Sequence, residues 1–480
     1  MHSPESNAVD VNLEQLVQVQ RSAFLAEGPA SLRTRRDRLA RALDLLVSHE
    51  AELCEAIAAD FGQRPVSLTR VMDIFPAVHA LRYARRHVGG WMRSRARRLG
   101  FPNLIPGVTG EILYQPLGVV GVISPWNFPV TLSFGPLAGI LAAGNRCLVK
   151  PSELTPVTAE LLRKLVAAHF EPAEVSVVTG GRAVAESFAR LPFDHLLFTG
   201  STQVGRQVMA AAAVHLVPVT LELGGKCPVI LGATADLRRA VDRTLLAKLA
   251  NSGQMCLAPD HVYVPRQSLH AFIEQARKWT RGAYPGLPGN PDYTSLISPH
   301  HLQRVQELLD DARARGAEVV PLCESDVVPD RDSRLVPPAL IVGVSRDMRV
   351  MREEIFAPLL PVLPYDSMEE VIADIRGREH PLALYYFGAD KRELRGILAH
   401  TISGGVTVND VATHFLAEEL PFGGVGASGM GSYHGEHGFV RFSHARPVLR
   451  QSAFDLAGLL GLRPPYGERL QRCLRWLIRR

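Results

Sequence analysis

A chain of 480 residues, 46% hydrophobic and 21% charged, is too long for one ordinary core and too apolar to be disordered, so two or three globular domains are expected. A net charge of +5 over so large a surface, with arginines scattered and not interleaved with aromatics, speaks against a nucleic-acid-binding protein. Six widely spaced cysteines, Cys54, Cys147, Cys227, Cys256, Cys323 and Cys473, form no CxxC pair and fit reduced thiols better than a disulfide framework or a zinc module.

The opening residues carry acids and no apolar run of signal-peptide length, so a cytoplasmic protein is expected. From Leu32 to Phe61, Leu39, Leu43, Leu46, Leu53 and Ile57 recur at helical spacing and predict one or two amphipathic helices. A basic stretch from Arg82 to Arg98 leads into FPNLIPGVTGEILYQPLG, whose proline and glycine punctuation predicts an extended, hairpin-like excursion. A regular alternation follows. GVVGVIS, RCLVKPS, VSVVTG and HLLFTG read as buried strands, and TLSFGPLAGILAAG, TPVTAELLRKLVAAHF, AVAESFARL and QVGRQVMAAAA as the helices after them. Such alternation predicts parallel βαβ units in a doubly wound sheet, with ligands at the carboxyl ends of its strands. PWNFP, KPSE and FTGST would then share one rim. After VTLELGGKCPVIL a second α/β domain is expected to about residue 410, and no apolar run approaches the roughly 20 residues of a membrane span.

Several residues on this frame carry chemistry. Cys256, in NSGQMCLAPD, follows an apolar helical stretch beside small residues that let a substrate approach its sulfur, although a cysteine taken alone is more often an inert core residue. Glu222, in LELGGK, precedes two glycines that give the backbone room to turn a carboxylate into a cleft, where it would activate water for deacylation. Asn127 of SPWNFP is bracketed by Pro125 and Pro129, and an amide donor held still at a strand end suits an oxyanion; on its own the motif reads more readily as an Asn satisfying its own turn. Lys150 and Glu153 of VKPSE end the next strand, where a cation and a carboxylate suit the two hydroxyls of an adenosine ribose and disfavour a 2′-phosphate. Gly200 and Ser201 of FTGST open a helix whose N-terminal amides suit a pyrophosphate, though GSTQVG is neither GxGxxG nor a Walker A sequence. His434 and His437 have metal-ligand spacing without a third ligand nearby, so no metal site is expected.

Taken together and in this order, PWNFP, VKPSE, FTGST, LELGGK, NSGQMC, EEIFAP and PFGGVGASGMG resemble the aldehyde dehydrogenase superfamily from about residue 30 to 450. CLAPD, GMGSYHGEHGFVRFSHARPV and RPPYG further resemble the branch holding class 3 and coniferyl aldehyde dehydrogenases. The resemblance implies an α/β fold with a Rossmann-type dinucleotide-binding domain (1–97 and 116–224), a second α/β catalytic domain (225–410), a β oligomerisation arm (98–115 and 411–446) and a C-terminal tail with a helix (447–480). It implies NAD as cofactor, with NADP open, and a homodimer. The implied reaction oxidises an aldehyde, aromatic such as coniferyl aldehyde or medium- to long-chain aliphatic, to the carboxylic acid through a cysteine thiohemiacetal and a thioester. Carried over by motif, the Cys256 thiolate would be the nucleophile, Glu222 the general base and Asn127 an oxyanion donor. Trp126, Lys150, Glu153, Gly200 and Ser201 would line the dinucleotide site, and Glu354 and Phe356 would position the nicotinamide ribose and ring. Met255 departs from the branch, which often has Thr there. PFGGVGASGMG would be a close-packed loop near the active site.

Two rival readings are weighed against this one. A cysteine-dependent esterase or acyltransferase would turn over without a cofactor, but no motif places a histidine near Cys256. A non-enzymatic, membrane-associated protein rests on the C-terminal RPPYGERLQRCLRWLIRR. There Leu470, Leu474, Trp476 and Leu477 lie beside Arg469, Arg472, Arg475, Arg479 and Arg480, as in a helix lying on an anionic surface. A terminal helix packed near the substrate entrance is the reading favoured over it.

Overall fold

The structure is a computed structural model that describes residues 12–479 apart from 101–106, 288, 325–327, 329, 455–457, 459 and 460. The periodic stretch near the start forms two helices, Leu32–Ser48 and Glu50–Phe61, that bury Leu39, Leu46, Leu53 and Ile57. Glu174 ties the first of them to the turn before the strand Val175–Val177, accepting from Arg38 Nε at 2.9 Å and Arg41 Nη1 at 2.7 Å.

The alternating segments build a six-stranded sheet in the order Gly429–Met430, Val219–Leu223, His195–Gly200, Val119–Ile123, Arg146–Lys150 and Val175–Val177. All pairings are parallel except that of the short Gly429–Met430 strand. Val119–Ile123, first in the chain, lies in the middle, and the strands that follow it add on one side and then on the other. That reversal opens a crevice outside the carboxyl ends of the strands. The helix Thr131–Ala143, which connects the two central strands, is apolar all round and buried at every position but Gly135. It packs between Leu32–Ser48, Phe75–Trp91 and Gly435–Arg441, as an all-apolar helix must.

A second sheet has seven strands in the order Glu318–Pro321, Ala339–Val342, Leu359–Tyr365, His261–Pro265, Pro228–Leu231, Ala383–Phe387 and Gly405–Val408, parallel but for the first pair. Only residues 224–227 separate Val219–Leu223 in the first sheet from Pro228–Leu231 in the second, so Glu222 stands at the junction of the two. A third, antiparallel sheet joins Arg95–Arg97, Thr109–Pro116 and Ser443–Arg450. It contains the expected excursion, of which residues 101–106 lie outside the described residues. Its last strand pairs without interruption from Ser443 to Arg450 and so straddles the expected limit at 446. The C-terminal helix Glu468–Leu477 buries Leu470 and leaves Trp476 exposed. Among the described residues no helix is long and apolar enough to cross a membrane.

Candidate active site

A cleft of about 800 Å³ opens on the rim where the strand order reverses, and Trp126, Lys150, Glu153, Gly200 and Ser201 all line it. Lys150 is the last residue of its strand and almost fully buried. Its Nζ donates to the Pro151 carbonyl at 2.8 Å and lies 3.6 Å from Glu153 Oε2, so the charge is presented at the cleft wall beside a half-exposed carboxylate. Burial holds this ammonium below its ordinary range, against the pull of Glu153. At Gly200 a Cβ would stand 2.5 Å from the Phe198 ring, so any larger residue would displace that ring where the chain turns into the helix Thr202–Ala213. Ser201 caps that helix, its Oγ accepting from Val204 N–H at 3.4 Å. Thr199 Oγ1, also on the cleft, is buried without a partner. A helix N-terminus, a cation beside a carboxylate and an orphaned hydroxyl along one cleft fit a dinucleotide.

The thiol is placed by a strained turn. After the helix Leu237–Leu249, Asn251, Ser252 and Gly253 take φ values of 49°, 52° and 74°, a left-handed run that costs about 1–3 kcal/mol at each non-glycine position. At Gly253 a Cβ would lie 2.7 Å from the Ala357 carbonyl carbon. Side chains hold the turn: Gln254 Nε2 donates to the carbonyls of Asn251 at 3.0 Å and Ser295 at 3.1 Å, and its Oε1 accepts from Ile297 N–H at 2.9 Å. Asn127 is joined to the same turn, its Nδ2 donating to the Gln254 carbonyl at 3.2 Å while Asn251 Nδ2 donates to the Asn127 carbonyl at 3.3 Å. Cys256 emerges half-buried, whereas Cys54, Cys147 and Cys227 are fully buried.

Burial, and then the carboxylates of Glu354 and Glu222, push the Cys256 thiol up to about 12. Burial and these two acids thus favour the thiol form over the thiolate expected from the sequence. A cysteine hydrolase would place a histidine where these two carboxylates act.

Glu222 is the fourth of five residues in Val219–Leu223, paired with Thr199 on one side and Gly429 on the other. The carboxylate thus lies inside the strand, and the following glycines do not turn it out. Gly224 makes room for Glu354 instead, and Gly225 for the backbone at Pro381. A Cβ at Gly224 would stand 2.6 Å from Glu354 Cδ, and the Gly225 N–H donates to the Glu354 carboxylate. Glu222 is buried with neither oxygen hydrogen-bonded, and burial raises its acid well above the ordinary range, with only Arg441 opposing. Burial and the nearby Asp260 carboxylate raise Glu354 to about 8.

Glu354 and Phe356 do not line the cleft itself. Phe356, at φ 52°, meets Trp126 edge to face with ring centres 5.5 Å apart, and so touches the cleft through it. Three residues that sequence reasoning passed over hold this segment. Lys226 Nζ donates to the carbonyls of Val350 and Glu353 at 2.8 Å each and pairs with Asp260, whose Oδ1 accepts from Ile355 N–H at 2.8 Å. Arg304 Nη1 donates to the Ile355 carbonyl at 2.8 Å. Lys226 and Asp260 stood in quoted motifs, but nothing in one sequence says that they pair. His434 is buried against Phe415, Phe422 and Tyr433, and among the described residues no three candidate ligands gather to hold a metal.

Known proteins resemble this chain along nearly its whole length. The profile of the aldehyde dehydrogenase family matches residues 2–448. A coniferyl aldehyde dehydrogenase of a Pseudomonas species is 46% identical over 476 residues, covering 98% of each chain. The substrate-bound state of Staphylococcus aureus AldH superposes with a TM-score of 0.90 at 33% identity, over 97% of this chain and 99% of that one. A Mycobacterium tuberculosis aldehyde dehydrogenase complexed with NAD+ does so with a TM-score of 0.82 at 28% identity, over 92% and 90%. The chain belongs to the aldehyde dehydrogenase family and oxidises an aldehyde to the carboxylic acid with NAD(P) as the oxidant.

Proposed function

We propose that the protein is a cytoplasmic, homodimeric, NAD-preferring dehydrogenase of aromatic aldehydes of the coniferyl type. The observation that carries the site assignment is the meeting of Cys256, Glu222 and Glu354 beside the dinucleotide cleft. The substrate class is supported by the coniferyl aldehyde dehydrogenase among the relatives and by an aromatic cluster of Phe415, Phe422, Tyr433 and His434. Tyr433 lies close enough to feel the charges of Glu222 and Cys256. Glu153 at the cleft supports NAD over NADP, since a carboxylate repels a 2′-phosphate. In this reading residues 1–97 and 116–224 bind the dinucleotide, 225–410 complete the catalytic unit, and the arm of 98–115 and 411–446 pairs two subunits, the strand Ser443–Arg450 carrying it a little further.

In the mechanism, Trp126, Lys150, Glu153, Gly200 and Ser201 hold the dinucleotide, while Glu354 and Phe356 set the nicotinamide ribose and ring. When bound, the nicotinamide supplies a hydride acceptor. Cys256 Sγ adds to the carbonyl carbon as its proton passes to an ionised Glu222, which is a strong base because its acid form is so favoured. Asn127 Nδ2 and the Cys256 N–H stabilise the oxyanion of the thiohemiacetal. Loss of hydride leaves a thioester on Cys256. Glu222 passes that first proton to solvent and then takes another from the water that attacks the thioester; the C–S bond breaks, the carboxylic acid is released and the proton returns from Glu222 to the Cys256 sulfur.

Cys256→Ala is expected to abolish NADH formation, and substantial remaining turnover would remove the nucleophile. Glu222→Gln is expected to trap an acyl-enzyme visible by mass spectrometry; lost turnover without the adduct would contradict the assigned base. Coniferyl aldehyde, benzaldehyde and a long-chain aldehyde assayed with NAD and NADP in parallel test the substrate class. A preference for the aliphatic substrate or for NADP would overturn that part.

A further inference from the structure

Beneath the loop that carries Trp126 and Asn127 lies a buried ion pair that no step above uses. Arg64 follows the helix Glu50–Phe61 in the chain, and Asp73 sits in a π-helical turn, Arg70–Ile74, that interrupts the path into the helix Phe75–Trp91. Both side chains are wholly shielded from solvent, with Arg64 Nη2 3.6 Å from Asp73 Oδ2. Their remaining bonds all go to one loop. Arg64 Nη1 donates to the Asn127 carbonyl at 2.8 Å, and the guanidinium lies over the rings of Phe61 and Phe128, 4.7 and 5.1 Å from their centres. Asp73 Oδ1 accepts from the N–H groups of Val130 and Thr131 at 3.1 and 2.7 Å.

The helix Thr131–Ala143 has no side-chain cap of its own, because Val130 precedes it. Its buried first amides would otherwise be orphaned, and Asp73 caps them from another part of the chain. So deep a pair is a poor way to stabilise a core, since desolvation cancels most of its attraction. Arg64 Nε and Nη2 and Asp73 Oδ2 even lack hydrogen-bond partners. What the pair does accomplish is geometric: it fixes the backbone on both sides of Phe128. Through the Asn127 carbonyl, which also accepts from Asn251, Arg64 is one hydrogen bond from the turn that presents Cys256.

We infer that Arg64 and Asp73 are positioning residues for the reaction, setting the Asn127 amide against the carbonyl oxygen of the substrate. The inference rests on Asn127 acting as an oxyanion donor, as proposed above. Asp73 lies within the π turn Arg70–Ile74, and single π turns inside helices recur at functional sites.

The test is a set of double-mutant cycles in the full-length enzyme: Arg64→Lys and Asp73→Asn, each alone and with Asn127→Ala. The readout is the single-turnover rate of NADH formation at saturating NAD and aldehyde, together with the KM for NAD and a thermal melt. Arg64→Lys keeps the charge beside Asp73 but loses the fork. Asp73→Asn keeps an acceptor for the helix cap, and carries the test should the lysine variant fail to fold. Each single variant is expected to slow the turnover about ten- to a hundredfold, the cost of a donor misplaced by about 1 Å, with the KM for NAD unchanged. In the Asn127→Ala background the same substitutions are expected to cost less than about twofold, because the group they position is gone. Equal slowing in both backgrounds, or no slowing in either, overturns the positioning role. Unimpaired turnover in Asn127→Ala alone overturns the oxyanion assignment instead, so the two failures are distinct.

Discussion

Gly224→Ala isolates Glu354 without touching its charge. A Cβ at Gly224 would stand 2.6 Å from Glu354 Cδ, where carbon atoms rest no closer than about 3.5 Å, so the carboxylate must withdraw by about 1 Å. Gly224 has no positive φ, so alanine takes up its backbone conformation without strain and the perturbation falls on the neighbouring side chain. Displacement removes the acceptor from the Gly225 N–H and moves the group that would hold the nicotinamide ribose. A shift of this size costs on the order of 10²-fold, about 2.7 kcal/mol of transition-state stabilisation. Steady-state NADH formation with NAD as the varied substrate should show that loss in kcat/KM, while the melting temperature stays near that of the parent. In a Glu354→Ala background the alanine at 224 should have no further effect. A variant with parental kcat/KM, or one that loses as much activity without Glu354 as with it, would refute the reasoning.

Glu354 is the charge that most raises the Cys256 thiol, so Glu354→Gln should make ligand-free enzyme react faster with iodoacetamide at a fixed pH above 8, where Glu354 is ionised; slower alkylation would count against the cluster. Because Glu354 itself is raised to about 8, nicotinamide ribose binding through its ionised form should weaken as pH falls below that value; the KM for NAD should rise on acidification in the parent and stay flat in Glu354→Gln. Glu174 is held near 2 by Arg38 and Arg41 despite its burial, so its ionised form contributes at most about 3 kcal/mol of stability above pH 4.5. That contribution fades as pH drops through the folded value. Glu174→Gln should therefore melt several degrees below the parent at neutral pH, with the gap closing in acid; a gap that widened would reverse the sign.

The alternation of apolar strands and helices made the doubly wound sheet legible, because parallel strands buried on both faces read as continuous apolar runs. From that layout alone PWNFP, KPSE and FTGST fell on one rim, where the cleft lies. The reach of Ser443–Arg450 was not legible, since a strand exposed along most of its length carries no hydrophobic period. Glu222 was singled out for the wrong local reason: the two glycines looked like a turn for its own carboxylate, whereas Gly224 is space for another that lies 132 residues on from Glu222 and Gly225 is space for the backbone at Pro381. Arg64 and Asp73 left no trace either. Burying a charged pair depends on what packs around it, and neither residue stands in a pattern that announces burial.

The short strand Gly429–Met430 closes the free edge beside Glu222, and its glycine, Gly429, presses against the Leu221 carbonyl too tightly for any side chain. As the polypeptide leaves the ribosome, the acid's strand can find its inner neighbour early, but its outer one not until synthesis has passed Met430. A nascent chain released short of that point would keep an unpaired backbone edge where the base must sit, prone to join other edges and unable to catalyse.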